Sequence, residues 1–169
     1  MTSTDFRKYS FNITRITDSG KYIGRRVYWR LYLLENIVRI VVNSVLSVQI
    51  NPNWWSVAAS PNLLLKIQDR RNSYLLAPHL TSPGLHDIYF IFIYELNNII
   101  ARYRSSFLPV MPDIDNWISD LENVKYSRNI VAHMNWPNQY DINLVDRMYD
   151  DAVKLALDLQ VRGIPLLTP

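Results

Sequence analysis

The chain has 169 residues, 49% of them hydrophobic, so it is long and apolar enough to fold as one domain around a core. It has no cysteine, which excludes disulfide bonds and cysteine-ligated metal sites, and its four glycines argue against a β-sandwich rich in tight turns. The formal net charge of +3 is compatible with a nucleic-acid partner but does not demand one.

Residues 1–24 are assigned to an N-terminal extension. Apolar and polar residues alternate around Tyr9, Phe11 and Ile13, and the turn-forming stretch 18–20 follows them. This pattern predicts a short N-terminal β-hairpin.

The first residues of the chain are polar and lack the apolar stretch of a signal peptide. The longest apolar segment is interrupted by Arg39, Asn43 and Ser44, so it does not indicate a transmembrane helix. We therefore expect a cytoplasmic protein with no membrane partner.

Residues 25–162 are predicted to form an all-α domain, an antiparallel bundle of four to five helices, with residues 163–169 as a tail. Apolar residues at alternating spacings of four and three predict the longest and most central helix over residues 25–49. Ser60 and Pro61 read as an N-cap and a first-turn proline of a second helix, which ends near Leu76.

Three more helices follow from the apolar periodicity. The third is predicted from about Leu85 to Ser105. The fourth is capped by Asp113 or Asp115 and is ended by residues 136–138. The fifth is predicted from about Ile142 to Val161.

The fourth predicted helix carries the most informative stretch of the chain, residues 126–135. At about 100° per residue, Arg128 falls within an apolar stripe that includes Leu121. A guanidinium is not buried without a partner, so Arg128 needs an acid, a phosphate or a solvated cleft. Asn129 and His133 are four residues apart and share one side of the helix. An arginine and a histidine beside a polar amide suit the handling of a phosphodiester.

This stretch resembles the HEPN superfamily, whose signature is an arginine, four to six residues and a histidine at the start of a late helix. Arg128 and His133 have four residues between them, and Asn129 stands where members often carry a polar residue. The resemblance implies a HEPN-like helical bundle that acts as a metal-independent endoribonuclease without a cofactor. It also implies a homodimer in which both motifs face one cleft. Proteins of this kind serve as toxins or antiphage-defence effectors that cut tRNA or other RNA, with an antitoxin or another defence component as partner.

The resemblance also implies a role for each residue of the motif. His133 acts as general base and acid on the RNA 2′-hydroxyl, which attacks the adjacent phosphate. Arg128 holds that phosphate, and Asn129 orients His133 or donates to the phosphate. The alternative is a noncatalytic HEPN module that binds RNA, a nucleotide or a partner protein. In a purely structural role, Arg128 would pair with a buried acid and His133 would cap the end of its helix.

Three further residues are predicted to support the site. Glu35 and Arg39 lie one turn apart on the longest predicted helix, and a simple surface ion pair is their default interpretation. Because this helix packs near the motif in HEPN-like bundles, Glu35 is expected to pair with Arg128 or Arg39. Asn135 stands where a subset of HEPN toxins carries a tyrosine, and we count it as a supporting residue.

A few residues outside the motif are candidates for RNA contact. Trp136 follows the motif directly and is a candidate for stacking on a base. Arg102 and Arg104 are candidates for contacting the RNA backbone, although such arginines are more often part of a solvated helix face. No metal site is expected, because the chain lacks cysteines and clustered acids, and it has no glycine-rich phosphate loop.

Overall fold

The computed structural model describes residues 5–10 and 12–169, and the regular structure of this part of the chain is entirely helical. After a 3₁₀ turn at Phe6–Lys8, helix α1 spans Ile13–Ile23, and a π-helical segment at Gly24–Tyr28 joins it directly to α2 at Trp29–Gln49. The remaining elements are α3 (Trp55–Ala58), α4 (Pro61–Leu75), a 3₁₀ turn (Asp87–Phe90), α5 (Ile93–Arg102), α6 (Arg104–Phe107), α7 (Ile114–Ala132) and α8 (Gln139–Val161).

Helix α2 lies at the centre of the domain, packed against α5, α6 and α8, and α7 packs against α5 and α8. Each of these long helices contributes apolar side chains that are fully buried, such as Leu34, Leu96, Leu121 and Val145. Removing these side chains from water is what holds the helices together. The domain is therefore a helical bundle, as the sequence pattern predicts.

The start of the second predicted helix is confirmed. The Ser60 hydroxyl accepts a hydrogen bond from the Leu63 N–H at 3.3 Å, and Pro61 is the first residue of α4. The end of the fifth predicted helix is also confirmed, since α8 ends at Val161.

The N-terminal hairpin is not confirmed. Asn12 caps α1 by accepting the Thr14 N–H at 2.9 Å, and residues 18–20, which the sequence places in a turn, lie inside that helix. Phe11, which belongs to the predicted alternation, lies outside the described residues. The helix runs without interruption across positions 24 and 25, where the sequence suggests the boundary of an extension.

The third predicted helix starts later than expected, at Ile93 instead of near Leu85. Leu85 is 97% exposed, so no apolar contact favours helix there. Its carbonyl accepts a hydrogen bond from the Arg71 guanidinium at 2.7 Å, which holds the segment as a loop. The helix begins where the Glu95 carboxylate accepts the Phe92 N–H at 2.9 Å, closing a cap at the N-terminus of α5.

The continuous helix Ile13–Gln49 is long and apolar enough, by length and composition alone, to cross a membrane. The mean hydropathy of its most apolar window is 1.5, and 56% of that window is buried inside the domain. A core helix of a bundle gives the same signal, and α2 occupies that position here.

Candidate functional site

The motif residues occupy the C-terminal end of α7, whereas the HEPN resemblance places them at the start of a helix. His133 is the C-cap residue, and Met134 after it has a φ of +58°. The Met134 N–H donates to the Val131 carbonyl at 3.0 Å, and the Asn135 N–H donates to the Ile130 carbonyl at 2.9 Å. These two bonds form a Schellman motif, which ends the helix and turns the chain away.

A buried hydrogen bond fixes the end of α7 against the start of α8. The Ser127 hydroxyl donates to the Asp141 carboxylate at 2.7 Å, and both side chains are buried. The second carboxylate oxygen of Asp141 accepts the Asn138 N–H at 2.9 Å, and the Asn138 side chain accepts the Asp141 N–H at 3.0 Å. This capping box holds the connection between the two helices directly after the motif.

Arg128 lies half-buried on the wall of a cleft of about 600 Å³. Its guanidinium carbon is 4.9 Å from the centroid of the Phe92 ring. Within residues 5–10 and 12–169, no carboxylate pairs with Arg128 and no atom accepts a hydrogen bond from its side chain. The acid that a purely structural role requires is therefore not found in this part of the chain.

The cleft is formed mainly between α2, the π-helical segment before it and the end of α7. Glu35 and Arg39 line it from α2, and Met134 lines it next to the motif. Tyr28 and Tyr32 line it on the N-terminal side of those two residues. Residues of the longest helix and of the end of α7 thus line the same cleft.

The guanidinium of Arg39 is bound by a carboxylate, an amide and two backbone carbonyls. It forms an ion pair with Glu35, and its guanidinium also donates to the carbonyls of Ile88 at 3.2 Å and Ile91 at 2.9 Å. Asn36 accepts a further hydrogen bond from Arg39 at 3.0 Å. Of the two partners expected for Glu35, the structure therefore gives Arg39, and this arginine anchors the loop that precedes α5.

The side chain of His133 is exposed and does not line the cleft. Asn129 is also exposed and lines a smaller cavity of about 70 Å³, which Arg128 and Phe92 line as well. No hydrogen bond joins the side chains of Asn129 and His133 in the part of the chain that the structure describes. Asn135 donates from its side chain to the His133 carbonyl at 3.3 Å. As the structural alternative expects, His133 is the cap residue of its helix, and its imidazole has no hydrogen-bond partner among the described residues.

The predicted RNA contacts outside the motif do not lie on the cleft. Trp136 is half-buried and stacks on Tyr22, with ring centroids 5.4 Å apart and an interplanar angle of 13°. Arg102 donates to the Ala58 carbonyl at 3.3 Å. Arg104 donates to Asp115 at 2.7 Å, and this hydrogen bond raises the pKa of Arg104 and lowers that of Asp115. Their RNA-binding roles stay predictions, and the structure shows each side chain already engaged.

Several aromatic residues lie near Arg128, and three of them, Tyr28, Tyr32 and Phe92, are not identified as site residues by the sequence. The two tyrosines directly follow Val27 and Leu31, which are buried residues of the long N-terminal helix. An aromatic just outside such an apolar stripe is the signal that would have found them. Phe92 lies in the stretch that the sequence assigned to the interior of a helix. Its contact with Arg128 joins segments that are far apart in the chain, which periodicity does not reveal.

Among the described residues, no group of three or more histidines and acids is placed to hold a metal ion. Comparison of the chain with protein-family models, with curated proteins and with solved structures finds no significant match.

Proposed function

We propose that this protein is a metal-independent endoribonuclease of the HEPN type. The single observation that carries the proposal is Arg128, which is half-buried at a cleft and has no anionic partner among the described residues. A phosphodiester would supply the anionic partner of this guanidinium, because the planar fork of the guanidinium matches two phosphate oxygens. His133 caps the same helix, and its side chain is exposed to solvent.

The proposed reaction uses the RNA's own 2′-hydroxyl as nucleophile. His133 accepts the proton of that hydroxyl while the 2′-oxygen forms a bond to phosphorus. The bond between phosphorus and the 5′-oxygen breaks, and the leaving oxygen takes a proton from the imidazolium or from water. Arg128 stabilises the charge that builds up on the phosphate oxygens. The products are a 2′,3′-cyclic phosphate and a 5′-hydroxyl.

The HEPN resemblance adds the assembly and the biological setting to this proposal. Two copies would pair with their motifs at one shared cleft, which would bring a second His133 towards each Arg128. The protein would act in the cytoplasm as a toxin or antiphage-defence effector on tRNA or another cellular RNA. An antitoxin or another defence component would then be its protein partner.

The test is cleavage of total RNA and tRNA by the purified protein with a metal chelator present. Wild type is compared with His133→Ala and Arg128→Ala, and circular dichroism checks that each variant is folded. We expect wild type to cut and to leave cyclic phosphate ends, and we expect both variants to remain folded but inactive. Cleavage that disappears with chelator, or that persists in the His133→Ala variant, would contradict the proposed chemistry.

A second candidate function is a noncatalytic module that binds RNA. The observation in its favour is that the His133 side chain does not line the cleft that Arg128 lines. Such a module would bind RNA through Arg128 with no cleavage in wild type, and the His133→Ala variant would bind as tightly as wild type does.

A further inference from the structure

Two exposed tyrosines lie side by side at the cleft. Tyr28 is the last residue of the π-helical segment and Tyr32 lies four residues later, so both rings are on one face of the helix. Tyr28 is 60% exposed and Tyr32 is 62% exposed. Both line the cleft together with Arg128.

Neither tyrosine side chain has a ring partner or a hydrogen-bond partner among the described residues. Two neighbouring tryptophans, in contrast, do have ring partners. Trp29 meets the Tyr149 ring edge-on at a centroid distance of 5.3 Å, and its indole N–H donates to the Arg25 carbonyl at 2.7 Å. Trp136 stacks on Tyr22. Tyr28 and Tyr32 thus differ from these two tryptophans, whose rings are already paired.

Among the described residues that line the cleft, one cation has no anionic partner. The carboxylate of Glu35 is neutralised by Arg39, whose guanidinium is held by backbone carbonyls as well. Arg128 remains as the surplus positive charge on the opposite wall. Two open rings beside one free guanidinium match the chemistry of a nucleotide, which presents a flat base and an anionic phosphate.

We propose that this cleft is a single-strand site, in which Tyr28 and Tyr32 stack on unpaired RNA bases and Arg128 binds an adjacent phosphate. The identification of the strand as RNA rests on the proposed function. A duplex does not fit the arrangement, because its bases are stacked on one another and their faces are closed to a protein side chain. The cleft volume of about 600 Å³ is in the range of sites that enclose a small ligand, so it takes a base with its sugar and phosphate.

The experiment measures binding without cleavage. The probe is a fluorescein-labelled 2′-O-methyl RNA of mixed sequence and about ten nucleotides, a length within the range of known single-strand sites. It has no free 2′-hydroxyl, so the proposed reaction does not cut it. Fluorescence anisotropy compares this single strand with the same strand annealed to its complement, at one fixed salt concentration.

The variants separate stacking from other roles of the rings. Tyr28→Ala and Tyr32→Ala each remove one ring. We expect each to weaken single-strand binding about tenfold, which is the usual effect of removing an aromatic side chain that stacks on a base. Tyr28→Phe and Tyr32→Phe keep the ring and should bind like wild type. Tyr140→Ala is the matched control, because Tyr140 is 65% exposed but does not line the cleft.

The outcomes are distinct. The proposal is supported if wild type binds the single strand more tightly than the duplex, and if Tyr28→Ala and Tyr32→Ala weaken single-strand binding whereas the phenylalanine variants and Tyr140→Ala do not. This holds even if wild type never cuts RNA. Equal binding of the single strand and the duplex overturns it, and so does unchanged binding in Tyr28→Ala and Tyr32→Ala while wild type still cuts RNA. If the alanine variants instead convert a dimer to a monomer in light scattering and leave RNA binding intact, the rings form a protein contact and the proposal is wrong.

Discussion

The guanidinium carbon of Arg128 lies 4.9 Å from the centroid of the Phe92 ring, and no carboxylate of the described residues pairs with this guanidinium. Arg70 also lies over this ring, at 4.2 Å, but Arg70 is paired with Glu95. The same ring thus contacts Arg70, which Glu95 neutralises, and Arg128, which has no acidic partner in the part of the chain that the structure describes. This contrast makes Arg128 the group that an incoming anion would meet.

Replacing Arg128 should affect function far more than stability. Arg128→Ala removes a cation–π contact of about 1 kcal/mol, so we expect only a small change in the free energy of unfolding. If Arg128 binds the reacting phosphate, cleavage should fall about 100-fold or more. Urea denaturation and a cleavage assay measure the two quantities on the same preparation.

The control for this prediction is Arg147→Ala, which removes an exposed arginine that pairs with Asp120. We expect it to leave cleavage unchanged. A large loss of stability in Arg128→Ala with little loss of activity would show that Arg128 serves the fold.

Arg39 is predicted to serve the fold rather than the chemistry. Its buried guanidinium pairs with Glu35 and donates to two carbonyls of the segment before α5. Arg39→Met would leave those carbonyls and the carboxylate without their partner, so we expect a loss of about 3 kcal/mol in the free energy of unfolding. Urea denaturation measures this. A variant with wild-type stability but no RNA cleavage would instead place Arg39 in the chemistry.

The long helices could be predicted from the sequence because each has a sustained apolar stripe and, for α4, a clear cap at Ser60. The start of α5 could not, because it depends on contacts between segments. Glu95 is buried and bound by Arg70 from α4, and Arg71 of the same helix holds the Leu85 carbonyl. These hydrogen bonds override a periodicity that continues back to Leu85.

The candidate site could also be predicted only in part from the sequence. The position of Arg128 in an apolar stripe indicated that it needs an anion or a cleft, and the structure places it at a cleft. The motif gave no information on Phe92, Tyr28 or Tyr32, since their positions near Arg128 depend on how distant segments of the chain fold against the end of α7. The environment of a side chain is set by packing, whereas the motif specifies only its spacing.

The buried pair of Glu95 and Arg70 should make stability fall at acidic pH. Burial alone would raise the pKa of Glu95, but hydrogen bonds from Arg70, the Phe92 N–H and the Tyr94 hydroxyl outweigh it and lower that pKa. A lowered pKa in the folded state means that the stabilisation is complete above the ordinary pKa of a glutamate. It is lost as the pH falls through the lowered value.

The free energy of unfolding, measured in urea at a series of acidic pH values, tests this dependence. Glu95→Gln should be less stable than wild type at neutral pH by about 2 kcal/mol or more, and its stability should fall less steeply in acid. Asp115→Asn is the control, because the pair of Asp115 with Arg104 is exposed and contributes little. If Glu95→Gln has the same acid dependence as wild type, Glu95 is not the group responsible.

The two helix ends at His133 and Arg162 share one backbone geometry but differ in the residue that adopts a positive φ. At the end of α7 this residue is Met134, with φ +58°, and at the end of α8 it is Gly163, with φ +74°. At both ends the following N–H groups bond back to carbonyls of the last turn. Glycine adopts this conformation without a steric cost, whereas a residue with a Cβ does not.

Met134→Gly should therefore raise the free energy of unfolding by about 1 kcal/mol, and Gly163→Ala should lower it by a similar amount. The space around Gly163 is open, with nothing within 4 Å of an added Cβ, so its cost would come from the backbone alone. Thermal and urea unfolding of the two variants measure both changes. Because strained backbone persists where function needs it, a stabilised Met134→Gly that cuts RNA more slowly would mean that the methionine side chain at the cleft contributes to activity. If Met134→Gly is more stable than wild type and cuts RNA at the same rate, neither the strained backbone nor the methionine side chain contributes to RNA cleavage.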